Sequence, residues 1–578
     1  NRLEIPATIK RIGEDAFKHT QIDGKDNQGD YHWLDVNFIS YFCNGIDYDA
    51  SFSRWAQIEF ASYYSAPFAG TDTKSPRHLP NIAIDGDTGI SQSIDISDID
   101  KISDYAFIAA CTTGLTLSNV REIGNAAFEY AAFLSIINVD ETLQIIGDCA
   151  FQHCIALTEV IGLSDNIKRI GNVAFRDTPI LSDDSKYYDT GVYYLEGKYQ
   201  GTNTFCYFAL DIQNNQTDVS IKADTILIAD YCFHEQWSIT SVSLPQSLKR
   251  IGSNAFLSAS REYDSIENYN KYYNLSNLNS IYYYGGFDQW AQIEFANAAS
   301  SPFNDNYSAM DGSKYQRELT GEAQFLPNQS STSDLKPART CWVQLYSMCN
   351  MTERDDAVPV LFRVFDPVDA DGKLKPGWTD AYAGLTCINA HAFEYCMDIV
   401  AIDLKAFPNL THIGDRAFDN CRNMRTIKLN NVVSIDYAAL YDNLLVYEFI
   451  APRLLHIGYF GLGFLGSCCV MHDEGYSLDT LNLPSIQFID KLGIAKIGYR
   501  DHPVELKLGP DLSYLGTYGE ISGDKNVLCT GFYEYMKSNQ VYRWSESRNS
   551  YIEVDHTPYE IAQLVKPENW IPFAPNGT

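Results

Sequence analysis

The sequence predicts an α/β solenoid, in which short strands stack coil upon coil into a parallel sheet. Three observations predict it. The phrase Ile-Gly-x-x-Ala-Phe occurs intact at residues 12–17, 123–128, 146–151, 170–175, 251–256 and 413–418, with degraded copies at 102–107, 228–233, 388–393, 435–440 and 457–462. In tandem runs its last position recurs every 21 to 25 residues, through Phe107, Phe128, Phe151 and Phe175, then Phe233 and Phe256, then Phe393, Phe418, Leu440 and Leu462. A fixed period of this length marks stacked coils rather than separate globular units. The residues before each phrase alternate apolar and polar, as a half-buried strand does.

One coil shows the order of elements. From Ile239 to Phe256, the apolar set Ile239, Val242 and Leu244 ends in a period of two, which places Ser241 and Ser243 on the outer face of a short strand. Pro245 stops that strand because it has no N–H to give a ladder. Leu248 and Ile251 turn back inward, Gly252 is expected to supply a sharp or left-handed backbone, and Ala255 leaves room for Phe256 to plug the core. Strands stacked about 4.8 Å apart would then form one long parallel sheet.

The position three after the phrase is Thr20, Ala131, Cys154, Thr178, Ala259, Cys396, Cys421 or Asn443, so it asks for a small residue. Of the 14 cysteines, Cys149, Cys154, Cys232, Cys396 and Cys421 fill repeat slots that other residues fill elsewhere, which reads as buried free thiols. Cys396 and Cys421 fall on adjacent coils, but side chains in a parallel ladder do not offer a disulfide dihedral. Cys341 and Cys349 lie outside the repeats and are the pair best placed for a bridge.

At 45% hydrophobic and 20% charged residues the chain can bury a continuous core. A net charge of −31 argues against nucleic acid and anionic membrane as partners. The one basic feature, Lys10-Arg11, Lys168-Arg169 and Lys249-Arg250 just before Ile-Gly, reads as a solvated stripe. No apolar run is long enough to insert in a bilayer, and the opening Asn-Arg-Leu-Glu-Ile-Pro lacks the plan of a signal peptide.

The combined pattern, Leu-x-x-Leu-x-Leu-Pro-x-x-Leu-x-x-Ile-Gly-x-x-Ala-Phe-x-x-Cys, resembles the BspA-type leucine-rich repeats of bacterial surface proteins, over residues 1–17, 98–180, 224–260 and 385–465. The resemblance implies a curved leucine-rich-repeat solenoid with its parallel sheet on the concave face and short strands and helical turns on the convex face. It further implies an extracellular or cell-surface protein whose signal or anchor segment is absent from this sequence, and a host matrix or cell-surface protein as partner.

Two long insertions share a plan. Trp55-Ala-Gln-Ile-Glu-Phe60 and Trp290-Ala-Gln-Ile-Glu-Phe295 are identical, and each Trp precedes a Pro (Pro67, Pro302) by 12 residues. Each is followed by an Asp-Gly (Asp85-Gly86, Asp371-Gly372) that reads as a hairpin turn. The Trp residues read as packing anchors. A third insertion, with Tyr187-Tyr188, Tyr193-Tyr194, Tyr199 and Tyr207, reads as strand, turn and strand with aromatic faces. The organisation is therefore a first repeat block over 1–310 with inserts at about 18–97, 181–223 and 261–310, a linker or small cap at 311–384, a second block over 385–520, and a C-terminal cap at 521–578.

Chemistry finds little footing. Asp366-Pro-Val-Asp369-Ala-Asp371-Gly372 is not a calcium loop, because Pro367 and Trp378 stand where carboxylates are needed. There is no Cys-x-x-Cys and no Gly-x-Ser-x-Gly, and His153, His391, His412 and His456 sit at variable repeat positions. The expectation is a non-catalytic protein with no metal and no cofactor. Its default recognition surface is the outward row of the strands: Thr116, Ile136, Asn138, Ser241, Ser243, Asp403, Thr426, Lys428 and Glu448. The aromatic inserts offer an alternative, a glycan-binding platform at Tyr187, Tyr193 and Tyr282. The plainer reading of those rings is cross-strand packing, and a third possibility is a structural spacer with no ligand.

Overall fold

The structure is a computed structural model. It describes residues 3–14, 51–66, 93–259, 278–302, 364–466 and 478–497, apart from a few single positions, together with short strands at 46–48, 82–84, 272–274, 323–325, 505–508, 514–515, 542–545 and 550–553. Cys341, Cys349 and Asp85-Gly86 lie outside the described residues. The chain divides into two compact units, residues 1–236 with 250–255, and residues 237–249 with 256–578.

Each coil contributes one strand to each of two parallel ladders. In the second unit the first ladder runs Val364–Phe365, Ala401–Asp403, Thr426–Lys428 and Glu448–Ile450, and the second runs Cys387–Ile388, His412–Ile413, Ser434–Ile435, His456–Ile457, Phe488–Ile489 and Tyr514–Leu515. The first ladder thus begins inside the segment expected as a linker. In the first unit, Ser93–Ile102 and Gly114–Ile123 each serve both ladders as a single ten-residue strand, and Asp98 and Asn119 make the bend between the halves with φ of 56°. Later coils split the same path into Ile136–Asn138 with Ile145–Ile146, and Glu159–Ile161 with Arg169–Ile170. Helix is sparse among the described residues: Phe52–Trp55 and Phe287–Trp290 are its two α-helical pieces, in equivalent places ahead of the two identical hexapeptide tails.

The Phe of each phrase fills the space between ladders. Phe107, Phe128, Phe151 and Phe175 stack with centroids 5.2, 5.5 and 5.4 Å apart, and Phe393 stacks on Phe418 at 5.3 Å. Leu440 and Leu462 continue the second column, fully buried. Each such side chain stabilises the fold by roughly 1.5–3 kcal/mol through burial alone.

The glycine of the phrase has a different task from the expected one. The left-handed residues are at the fourth position, Ala126, Cys149, Val173, Asn254 and Arg416, and at the second position after the Phe, Tyr130, His153, Asn420 and Asp442. Gly252 itself is not left-handed; a Cβ there would lie 2.5 Å from the Asp230 amide nitrogen of the preceding coil. The residue is glycine because neighbouring coil backbones meet at that point.

A polar ladder runs beside this contact. The third phrase position accepts the backbone N–H of the same position one coil on: Asp104 from Asn125, Asn125 from Asp148, Asp148 from Asn172, and Asp230 from Ser253, at 2.7 to 3.0 Å. Each bond satisfies an amide that stacking would otherwise bury.

The small slot after the Phe also carries a bond. The Cys154 thiol donates to the Phe128 carbonyl at 3.2 Å, the Cys421 thiol to that of Phe393 at 3.0 Å, and the Asn443 amide to that of Phe418 at 3.0 Å. Cys149, Cys154, Cys232, Cys396 and Cys421 are free thiols; Cys149 is half-buried and the other four are buried. Asp371-Gly372 forms the expected hairpin, with Val368 bridged antiparallel to Leu374 and Gly372 at φ +78°.

The third insertion leaves the stack through Pro179–Leu181 and returns through Thr225–Ile228. The Asp230 N–H donates to the Ile170 carbonyl at 2.9 Å, as Gly171 donates to Ile146 one coil earlier at 2.8 Å. Arg169 reaches across the same joint, pairing with Asp148 and, at 2.7 Å, with the buried Asp230. Its neighbour Lys168 is exposed, so only half of the Lys-Arg doublet there is a solvated stripe.

Candidate binding surfaces

Register fixes which expected recognition residues meet. In the first unit Gly114, Ile136 and Glu159 form one solvent-facing row, and Asp95, Thr116, Asn138 and Ile161 form the next. Leu115, Ile137 and Val160 point inward between them and are buried. Thr116, Ile136 and Asn138 are all half-buried.

The second unit holds two such surfaces. Ser241 and Ser243 stand beside Ser280 and Tyr282 of the next strand, so Tyr282 belongs to the serine row and not to a separate platform. In the other sheet Ala401, Thr426 and Glu448 form one row and Asp403, Lys428 and Ile450 the next. Lys428 Nζ lies 3.3 Å from Glu448 Oε2, and Asp403 accepts the Lys405 N–H at 3.0 Å. Ile450 is 40% exposed and Ile161, its counterpart in the first unit, 46% exposed. Exposed isoleucine on a polar row is a packing surface for a partner. The alternation of each strand could have flagged both isoleucines.

The aromatic platform requires correction at two of its three positions. Tyr187 and Tyr193 are 6% and 8% exposed, and their rings belong to the core of the first unit. The Tyr187 hydroxyl takes the Val160 N–H at 3.3 Å and lies 3.5 Å from the Val160 carbonyl. It closes the free edge of the last strand of the ladder, which explains why an aromatic with a polar tip stands there.

Sequence reasoning missed a buried ionic cluster at the position after the Phe. Glu394 and Asp419 are fully buried; Arg416 Nη1 lies 2.8 Å from Asp419 Oδ2 and 3.4 Å from Glu394 Oε1, and His391 Nδ1 lies 2.6 Å from Glu394 Oε2. Burial, with the Glu394 carboxylate beside it, pushes the Asp419 carboxyl up to about 8 against the pull of Arg416. His412, raised by its 2.9 Å bond to Asp436, and His456, 3.1 Å from Ser434, join neighbouring coils in the same way. Among the described residues no group of three or more acidic, His or Cys side chains is placed to hold a metal ion, and no helix is long and apolar enough to cross a membrane.

The BspA-type leucine-rich-repeat model matches residues 88–183, 203–303 and 380–460 in six copies. Among solved structures, a leucine-rich repeat protein from Bacteroides ovatus is 16% identical, covering 77% of this chain and 82% of that one, with a TM-score of 0.27. A leucine-rich cell surface protein from Faecalibacterium prausnitzii is 14% identical over 63% of this chain and 88% of its own, with a TM-score of 0.19. The pneumococcal vaccine antigen PcpA is 12% identical over 81% of each chain, with a TM-score of 0.19. No curated protein sequence matches the chain. The phrase that matches the model is the one whose residues form the paired ladders and the stacked Phe column, and the chain belongs to the BspA-type leucine-rich-repeat family.

Proposed function

We propose that this is a non-catalytic bacterial protein, secreted or displayed on the cell surface, that binds a host matrix or cell-surface protein through the solvent-facing rows of its ladders and so serves adhesion. The observation that carries this reading is the second-unit surface of Asp403, Thr426, Lys428 and Glu448 around the exposed Ile450. Its side chains stand on a hydrogen-bonded backbone, so little ordering entropy opposes binding. The cell-surface description of the Faecalibacterium protein supports the location.

The experiment is binding of the purified chain to an array of matrix and cell-surface proteins, beside a Thr426→Glu/Lys428→Glu variant. The reading expects a bound protein whose signal falls at least about tenfold in the variant, as loss of a central contact does. A variant that binds as the parent does moves the contact elsewhere, and an array with no bound protein sinks the reading.

A further inference from the structure

A cleft of about 560 Å³ lies where the third insertion folds against the Glu159–Ile161 strand. Its size falls within the range of small-molecule sites and is far below that of a protein interface. Two links bound it: the Tyr187 hydroxyl on Val160, and the Lys198 N–H donating to the Leu163 carbonyl at 3.0 Å.

The walls are aromatic and the polar groups come in opposite charges. Lys198 and Phe205 are cross-strand partners, as are Glu196 and Tyr207, in the hairpin of Val192–Lys198 and Phe205–Ile212. Phe205 is 43% exposed, and Ile161 faces the same space. Lys222 Nζ stands 3.7 Å from the centre of the Tyr207 ring and 4.0 Å from Asp189 Oδ2. Lys186 Nζ pairs with Glu159 Oε1 at 3.1 Å. Neither Lys198 nor Glu196 has an ion-pair partner among the described residues; Lys198 Nζ lies 5.6 Å from the Phe205 ring centre.

Three ammonium groups are thus balanced by Glu159, Asp189 and Glu196. An acidic ligand would meet as many carboxylates as lysines. A peptide strand would find the edge groups of Val160 already occupied by Tyr187. A ligand rich in hydroxyls meets neither obstacle. Each hydroxyl both donates and accepts, so a neighbouring ammonium and carboxylate satisfy it together, while the apolar face of a sugar ring covers Phe205. We propose that this cleft is a binding site for a neutral oligosaccharide. It does not depend on the protein-binding rows of the second unit.

The test is titration of the purified full chain with neutral oligomers of glucose, galactose, mannose and N-acetylglucosamine, beside uronate and sialylated oligosaccharides. Two variants, Phe205→Ala and Glu196→Gln, accompany the parent. Both residues are exposed, so the variants are expected to keep the parent melting temperature. The expected result is a neutral oligosaccharide bound by the parent, weakened about tenfold by Phe205→Ala, and bound unchanged by Thr426→Glu/Lys428→Glu. No neutral sugar bound, binding confined to the acidic sugars, or full affinity in both cleft variants would each overturn the proposal. Loss of binding in the Thr426→Glu/Lys428→Glu variant would also overturn it, since that surface lies in the other unit.

Discussion

Trp290 donates its indole N–H to the Ala392 carbonyl at 2.6 Å, across 102 residues of sequence, and Trp55 donates to Ala106 at the same distance across 51. In both cases the acceptor is the alanine of a degraded phrase in which the usual glycine is replaced, by Asn389 and Ser103. Those two residues donate instead to Ala291 and Ala56, directly after the Trp. The Trp segment therefore stands in for a coil, and the phrase that stacks on it has no close backbone approach to require glycine.

Trp290→Ala is expected to destabilise the second unit by about 3–5 kcal/mol, the usual cost of emptying a large core position. Trp290→Phe keeps much of the bulk and forfeits chiefly the hydrogen bond, for about 1 kcal/mol, plus a smaller packing loss. Denaturant unfolding monitored in that unit separates the two. A Trp290→Ala chain as stable as the parent would remove the Trp segment from the stack.

Gly147→Ala would place a Cβ 2.6 Å from the Gly124 carbonyl carbon, and Gly171→Ala one 2.5 Å from the Asp148 amide nitrogen. Each is expected to cost about 1–3 kcal/mol through overpacking, read as a lower melting temperature. Gly13→Ala meets nothing within 4 Å and is expected to be neutral. Equal effects at all three sites would contradict the close-approach account.

The Cys421 thiol is pushed well above its ordinary range by full burial, and the Cys154 thiol is raised for the same reason. Both are expected to resist a thiol reagent in the native chain and to react on unfolding. Cys421→Ser keeps a donor for the Phe393 carbonyl and is expected to be milder than Cys421→Ala, which leaves a buried acceptor open at a cost of about 1–3 kcal/mol. The reverse order of stabilities would show that the slot selects for size alone.

Asp419 gives the second unit a pH dependence of definite sign. Its carboxyl stands at about 8 in the fold and at 3.8 ordinarily. The native state thus holds a proton that the unfolded chain releases, and this contribution is complete below about pH 4 and is lost as pH rises through about 8. The melting temperature is expected to decline across that window, and Asp419→Asn to flatten the decline. Arg416 faces the same carboxyl with Asn420, Glu394 and, beyond Glu394, His391, so a steeper fall in the Asn variant would assign the titration to one of these neighbours.

The sequence made the Phe column legible because its period alone assigns those side chains to one interior line. The Cys slot was legible as small but not as a donor, since Ala131 fills it without any bond to give. The acidic third position escaped notice because Asp104, Asn125 and Asp148 look like ordinary surface polarity until stacking places each beside the next coil's amide. Tyr187 was misjudged for the opposite reason: its hydroxyl closes a strand edge 27 residues back, and no local pattern reports that. Phe205, Tyr207 and Lys222 converge only after the insertion has folded back, with no repeat to announce them.

The joint between Ile170 and Asp230 sets how force and sequence change pass through the first unit. Pulling along the stack loads the Asp230–Ile170 bond and the Arg169 bridge, while the tyrosine-rich hairpin hangs outside that line of tension. The hairpin is also free to lengthen, shorten or be exchanged by the organism without a change in the rise from one coil to the next. Binding specificity held in the hairpin can therefore drift while the rod that carries it keeps its pitch.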